Sequence, residues 1–245
     1  MSSDEEGLAP EAKIYRHTEP VPPEGFAVGD AEIIEAVTAH IERCIGPVDV
    51  VFHELVSEYV HVDVHHVPPS PERPFHVIVT SGMSERPMQT PPELAEDDRR
   101  AELLMCLPSE WPINDEAFRK DRFYWPVRWL KTLARFPHQW GTWLGYAHTI
   151  PNGDPAEPLG PGTKQAGLLL SVPSMLGDEV HRLGLADGRV VRFWSVVPVY
   201  KEEMDLKLEK GADALFERFD EVGVTDLIDP DRPNVAAATR KWWQF

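Results

Sequence analysis

The sequence predicts an α/β (α+β) fold in which a mixed β-sheet is flanked by helices within a single domain. Segments that alternate apolar and polar residues with a period of two are interspersed with segments whose apolar residues recur on one helical face. Their order departs from the strict strand–helix–strand alternation of a doubly wound fold, which points to a sheet with mixed pairing. A chain of 245 residues, 42% of them hydrophobic, can bury a sizeable core, and no domain boundary is visible along it.

Residues 1–28 are polar and carry Pro10, Pro20, Pro22 and Pro23, so they are expected to form a loose, flexible arm ahead of a domain spanning 29–245. Asp30 is the expected N-cap of a helix from Ala31 to Cys44. Its Ile33, Ile34, Val37 and Ile41 share a face, and Gly46-Pro47 ends it. From Glu58 to Val67, Tyr59, His61, Asp63 and His65 alternate with Val60, Val62 and Val64, which predicts a strand. Four prolines between Pro68 and Pro74 force a turn, and Phe75 to Thr80 supplies the second strand of a hairpin. Ala101 to Leu107 reads as a buried strand. Pro126 suits the first turn of a helix running to about Phe136, with Val127, Leu130, Leu133 and Ala134 as its apolar stripe. A short strand is expected over Tyr146–Ile150 and two further strands over Gly167–Val172 and Val190–Tyr200, with the Pro- and Gly-rich residues 151–162 as a surface loop. Lys201 to Val222 is helical in pattern, with Met204, Leu208, Leu215 and Phe219 near one face and Gly211 as a break or kink.

With 24 Lys and Arg against 41 Asp and Glu, the formal net charge is −17. Such a surface repels nucleic acid and anionic lipid, whose binding depends on clustered cations, and attracts a basic partner. The acidic excess concentrates in Lys201–Asp231, where 11 acidic residues face 4 basic ones. Glu202, Glu203, Asp205 and Glu209 are the candidate electrostatic contacts in that segment; the plain alternative is a solvated helix face. Two cysteines, Cys44 and Cys106, do not make a disulfide scaffold. The acidic N-terminus is unlike a signal peptide and no apolar run approaches membrane-spanning length, so the expected location is the cytoplasm.

His61, Asp63 and His65 sit on one face of the expected strand and are the candidate zinc ligands of a metal-dependent hydrolase. Successive same-face residues of a strand lie roughly 7 Å apart, so three of them converge poorly on one ion, and a polar sheet face under a loop is the better reading. No His-Glu-x-x-His, Cys-x-x-Cys or Gly-x-Ser-x-Gly pattern accompanies them, and the prolines around Gly160 and Gly162 spoil a phosphate-cradling loop. No cofactor is therefore expected. Trp111, Trp125, Trp129, Trp140 and Trp143 cluster in sequence; most are core candidates, and Trp140 and Trp143 are the ones expected at a binding surface.

Several stretches, in order, are similar to the suppressor-of-fused family. They are His61-Val62-Asp63-Val64 with Pro68 to Phe75, Val79 to Ser84, and Ala101 to Pro108 leading to Trp111-Pro112. Trp129 to Pro137, His148 to Gly153, and Pro198 to Asp205 with Phe219-Asp220 follow. The resemblance implies a mixed sheet flanked by helices and a function in protein binding rather than catalysis. Animal members hold a transcription factor of the Hedgehog pathway inactive, and stand-alone bacterial members are interpreted as immunity proteins that neutralise toxins. A chain of 245 residues leaves no room for the additional C-terminal domain of animal members, so the bacterial, single-domain type is expected. The resemblance also implies that Phe136 and His148 lie near a partner-peptide groove. The expected activity is thus inhibition or sequestration of a protein, a toxin or regulatory protein of basic character; a non-inhibitory scaffold subunit is the third alternative.

Overall fold

The computed structural model describes residues 12–23, 30–54 and 58–237. Of the expected arm, residues 1–11 and 24–28 lie outside the described residues, as do the last eight residues of the expected domain, 238–245. The architecture is a mixed sheet between two helical layers. Helix α1 (Ala31–Cys44) starts where Asp30 Oδ1 accepts the amides of Glu32 and Ile33 at 3.1 and 3.4 Å, as expected of its N-cap. The strands are β1 (Val50–Phe52), β2 (Asp63–Val67), β3 (Phe75–Ser81), β4 (Ala101–Pro108), β5 (Thr149–Pro151), β6 (Gly167–Ser171), β7 (Arg182–Gly184) and β8 (Val190–Val199). They lie in the order β1-β2-β3-β4-β8-β6-β5, with β7 also paired to β8. Among these described strand pairs β4 and β8 run parallel and the others antiparallel.

Helix α2 (Asp115–Phe118) leads into α3 (Asp121–Trp140), which covers one face of the sheet. There Trp125, Leu130 and Leu133 meet Val64, Ile78, Leu103, Met105, Leu168, Leu170 and Val196. On the opposite face, Ile33, Val37 and Ile41 of α1 pack on Val77, Val79, Leu104, Cys106 and Phe193. The remainder of that face, Leu169, Val197 and Val199, is covered by α4 (Lys201–Lys210) and α5 (Ala212–Val222). Leu103 and Leu104, or Leu168 and Leu169, thus go to opposite layers. That is why the central strands read as continuous apolar runs.

Three elements differ from expectation, each for a local reason. Strand β2 is shorter than Glu58–Val67 because its partner turns away at Gly82, whose φ is 104° and where a Cβ would stand 1.7 Å from the His61 carbonyl oxygen. Helix α3 begins five residues before Pro126. Proline there forfeits a single second-turn hydrogen bond, while Trp125 and Trp129 on either side are buried. The strand expected from Tyr146 is reduced to Thr149–Pro151, since Ala147 has a φ of 60°. Gly211 divides α4 from α5 as expected. The three-residue strands β1 and β7 were not anticipated, being too short to show a period.

Candidate partner-binding surface

The C-terminal turn of α3 and the loop after it form an aromatic surface. Phe136 and Trp140 are one turn apart on α3, with ring centroids 6.4 Å apart. Gly141, in the left-handed conformation with φ 57°, ends the helix and swings the chain back towards the sheet. Trp143 then meets His148 edge-on at 5.4 Å. Residues 12–23 run across both pairs. Tyr15 packs edge-on against Trp143 at 4.9 Å, His17 lies 5.5 Å from Phe136 and 6.2 Å from Trp140, and the Val21 amide donates to the Gln139 carbonyl at 2.8 Å. The four sequence-derived ring candidates therefore share one surface. The residues missed were Tyr15, His17 and Val21; the rings of Tyr15 and His17, two positions apart in a largely polar stretch, were the available signal.

His148 is held neutral at physiological pH: burial, and then the nearby Lys207 ammonium, lower its pKa to about 4 against a favourable bond to the Trp143 backbone. The His148 ring therefore adds no charge of its own beside Trp143. Lys207 itself is lowered by burial and reaches Thr149 Oγ1 at 3.4 Å, linking α4 to this edge of the sheet. The loop is pinned by β6, with Ala147 N–H donating to the Leu170 carbonyl at 2.8 Å and Leu170 N–H to the His148 carbonyl at 2.9 Å. This pinning holds Ala147 left-handed, a conformation that costs a non-glycine residue about 1–2 kcal/mol. Ala147→Gly is accordingly expected to raise stability by up to about 1 kcal/mol after glycine's extra unfolded-state entropy, a Tm gain of about 1–3 °C. Calorimetry checks this; a lower Tm would mean that the loop tolerates alanine without strain.

The acidic candidates separate into two groups. Glu202, Asp205 and Glu209 are exposed and line one open groove with Leu206, Val235 and Ala236, with Lys210 and Arg218 also at its wall. Lys201 pairs with Asp205 at 2.6 Å, and Asn234 Nδ2 donates to Glu202 at 2.8 Å. Glu203 is a correction: it is 0% exposed and cannot meet a partner. Its carboxylate accepts from Arg232 at 2.7 and 2.6 Å, from Tyr200 N–H at 2.9 Å and from Val235 N–H at 3.0 Å. One residue further along a helix is a rotation of about 100°, enough to carry position 203 from the solvent side, where 202 lies, into the core.

His61, Asp63 and His65 do not converge. Asp63 is turned to His53 Nδ1 at 2.9 Å and His61 Nε2 at 3.3 Å, and also accepts the Glu54 amide at 3.0 Å. His65 bonds Ser81 Oγ at 2.9 Å instead. Among the described residues no three His, Cys, Asp or Glu side chains come together as a metal-ligand group. Beside His53, α3 presents Arg128, Lys131 and Arg135 along one open cleft, a basic stripe that follows from their spacing on the helix. Each is engaged within the chain: Arg128 by Asp121 at 3.2 Å, Lys131 by the His53 carbonyl at 3.2 Å, and Arg135 by Glu54.

Comparison with solved structures supports the architecture. A suppressor-of-fused homolog from Neisseria gonorrhoeae FA 1090 aligns over 84% of this chain and 98% of its own at 20% identity, with a TM-score of 0.59. A structure described as the Sufu–Fu complex aligns over 88% of this chain and 93% of that one at 15% identity and a TM-score of 0.55. Drosophila Suppressor of Fused aligns over 87% of this chain and 52% of its own, at 17% identity and a TM-score of 0.53. No curated protein sequence matches the chain. Among the described residues no helix is long and apolar enough to cross a membrane. The model of the suppressor of fused protein family matches residues 58–233, a span that takes in every strand from β2 to β8, and the chain belongs to that family.

Proposed function

We propose that the chain is a protein-binding module that inhibits or sequesters a partner, as an immunity protein neutralising a toxin in the cytoplasm, and that it works by binding rather than catalysis. The observation that carries this reading is the gathering of Phe136, Trp140, Trp143 and His148 on one surface, from two separate elements. Clustered aromatic side chains supply most of the energy of protein interfaces. The Sufu–Fu complex, whose fold this chain shares, supports a protein as the ligand. The acidic groove of Glu202, Asp205 and Glu209 supports a basic one.

The two surfaces have separable roles. Complementary charge chiefly raises the association rate and is screened over a Debye length of about 8 Å at physiological salt, whereas buried rings slow dissociation. Affinity capture from the cells that produce the chain is expected to retain a basic protein on the wild type and lose it from Trp140→Ala/Trp143→Ala. With the captured protein, Glu202→Lys/Asp205→Lys/Glu209→Lys should slow association by at least about tenfold at low salt, with little change in dissociation. Glu203 is left intact because its replacement would test folding instead. An association rate indifferent to salt and to the three reversals would remove the electrostatic half of the proposal; retention by the double tryptophan variant would remove the other half.

A further inference from the structure

The segment across the aromatic surface has features of a cover rather than of a structural strap. Residues 12–23 contain no helix or strand. Tyr15 is still 50% exposed and Val21 39% exposed while in contact with the body, so each ring or methyl touches the surface with one side and water with the other. Pro20, Pro22 and Pro23 lack amide hydrogens and fix φ, which keeps this stretch extended and unable to add a strand to the sheet. The segment nevertheless meets three of the four aromatic candidates directly: Tyr15 on Trp143, and His17 on Phe136 and Trp140. Val21 adds a backbone bond to Gln139 and lies against Gly141, where a Cβ would meet its methyl at 3.0 Å.

From these contacts we infer that residues 12–23 act as an intramolecular competitor, occupying the Phe136/Trp140/Trp143 surface until a partner displaces them. The inference rests on the reading of that surface as the partner site. Shallow contacts suffice for such a device. A segment tethered a few residues from the body is presented to its site at an effective concentration in the millimolar range, so even a millimolar intrinsic affinity leaves much of the surface occupied. The partner's apparent affinity then falls by the fraction of chains left open. A strap that stabilised the fold would be buried; this one is seated where displacement exposes rings without opening the core.

The test uses the full chain, wild type and Tyr15→Ala/His17→Ala, and a fluorescein-labelled peptide of residues 12–23 as the probe. Fluorescence anisotropy is expected to show the peptide binding the double variant at least about fivefold more tightly than the wild type, and Trp140→Ala/Trp143→Ala placed in the double variant is expected to abolish that gain. Equal affinity for wild type and double variant would overturn the cover. A second readout does not depend on peptide affinity. With 5-fluorotryptophan incorporated, the resonances of Trp140 and Trp143 are expected to move on Tyr15→Ala/His17→Ala, and unmoved resonances would overturn the proposal as well. The captured basic protein separates the two readings. If the peptide gains affinity while that protein does not, the cover stands and the partner site lies elsewhere. If that protein needs Trp140 and Trp143 while neither it nor the peptide responds to Tyr15→Ala/His17→Ala, the partner site stands and the cover falls.

Discussion

Arg232→Met is expected to lower the stability of the domain by about 3–5 kcal/mol, the cost of leaving a buried charge without its partner. Arg232 and Glu203 form a two-pronged pair that is almost wholly out of solvent, with side chains 7% and 0% exposed. The guanidinium also donates to the Pro198 and Pro233 carbonyls at 2.9 and 3.0 Å, and lies 5.1 Å from the centroids of both Tyr200 and Phe219. The substitution therefore strands a carboxylate under α4 and unties residues 232–237 from β8. Those residues include Val235 and Ala236 of the acidic groove, so groove binding should weaken in step with the melting temperature. Urea denaturation measures the effect. Glu203→Gln added to Arg232→Met removes the stranded charge yet keeps an acceptor for the Tyr200 or Val235 amide, and is expected to restore more than half of the loss. A cost below about 1 kcal/mol for Arg232→Met alone would show that the pair is not the clamp that its hydrogen bonds describe.

A second large effect is expected on acidification. His66, His138 and His148 each have a folded-state pKa of about 4, below the ordinary imidazole value. Burial is the leading cause in all three. The neighbouring His76 adds to it at His66, Arg86 and Arg100 at His138, and Lys207 at His148. A histidine whose pKa is depressed by folding binds its proton more readily in the unfolded chain, so stability rises with pH where the two forms differ. The full stability is present above about pH 6.5 and is lost progressively as the pH falls towards 4, with no further loss from these groups below that. One pKa unit is worth about 1.4 kcal/mol, so each of the three contributes on the order of 3 kcal/mol by the bottom of the window. His40, His65 and His76, also lowered by burial, act in the same direction. Glu85 and Glu102, raised by burial, oppose it, since they take up protons more readily in the folded state. Denaturation curves at pH 7.5 and pH 5 should differ by at least about 3 kcal/mol. His138→Gln keeps a donor for the Met83 carbonyl while removing the titration, and should flatten the slope. An unchanged midpoint between those pH values would mean that the imidazoles are open to water.

Much of the architecture was legible in the residues because it depends on periods that a sequence carries directly. The Asp30 cap, the α1 face, the hairpin of β2 and β3, the buried strands β4 and β8 and the break at Gly211 all follow from alternation, capping chemistry or glycine. The family resemblance was also in the sequence, spread over many short stretches. What stayed hidden was set by contacts between segments far apart in the chain. Which side of α4 faces the core depends on β8 and Arg232 lying beneath it, so the acidity of Glu203 looked the same as that of its exposed neighbour Glu202. Ala147 takes its left-handed turn because two hydrogen bonds to β6 impose it, and nothing in alanine announces a positive φ. The docking of Tyr15 and His17 is not visible in the sequence, since a polar, proline-rich stretch has no period from which to infer a docking place. Local chemistry determined most of the elements and singled out Trp140 and Trp143, while Phe136 and His148 came from the family resemblance. Only tertiary packing, through the desolvation and directional hydrogen bonds it imposes, decided which of those residues share a surface and which are sealed inside.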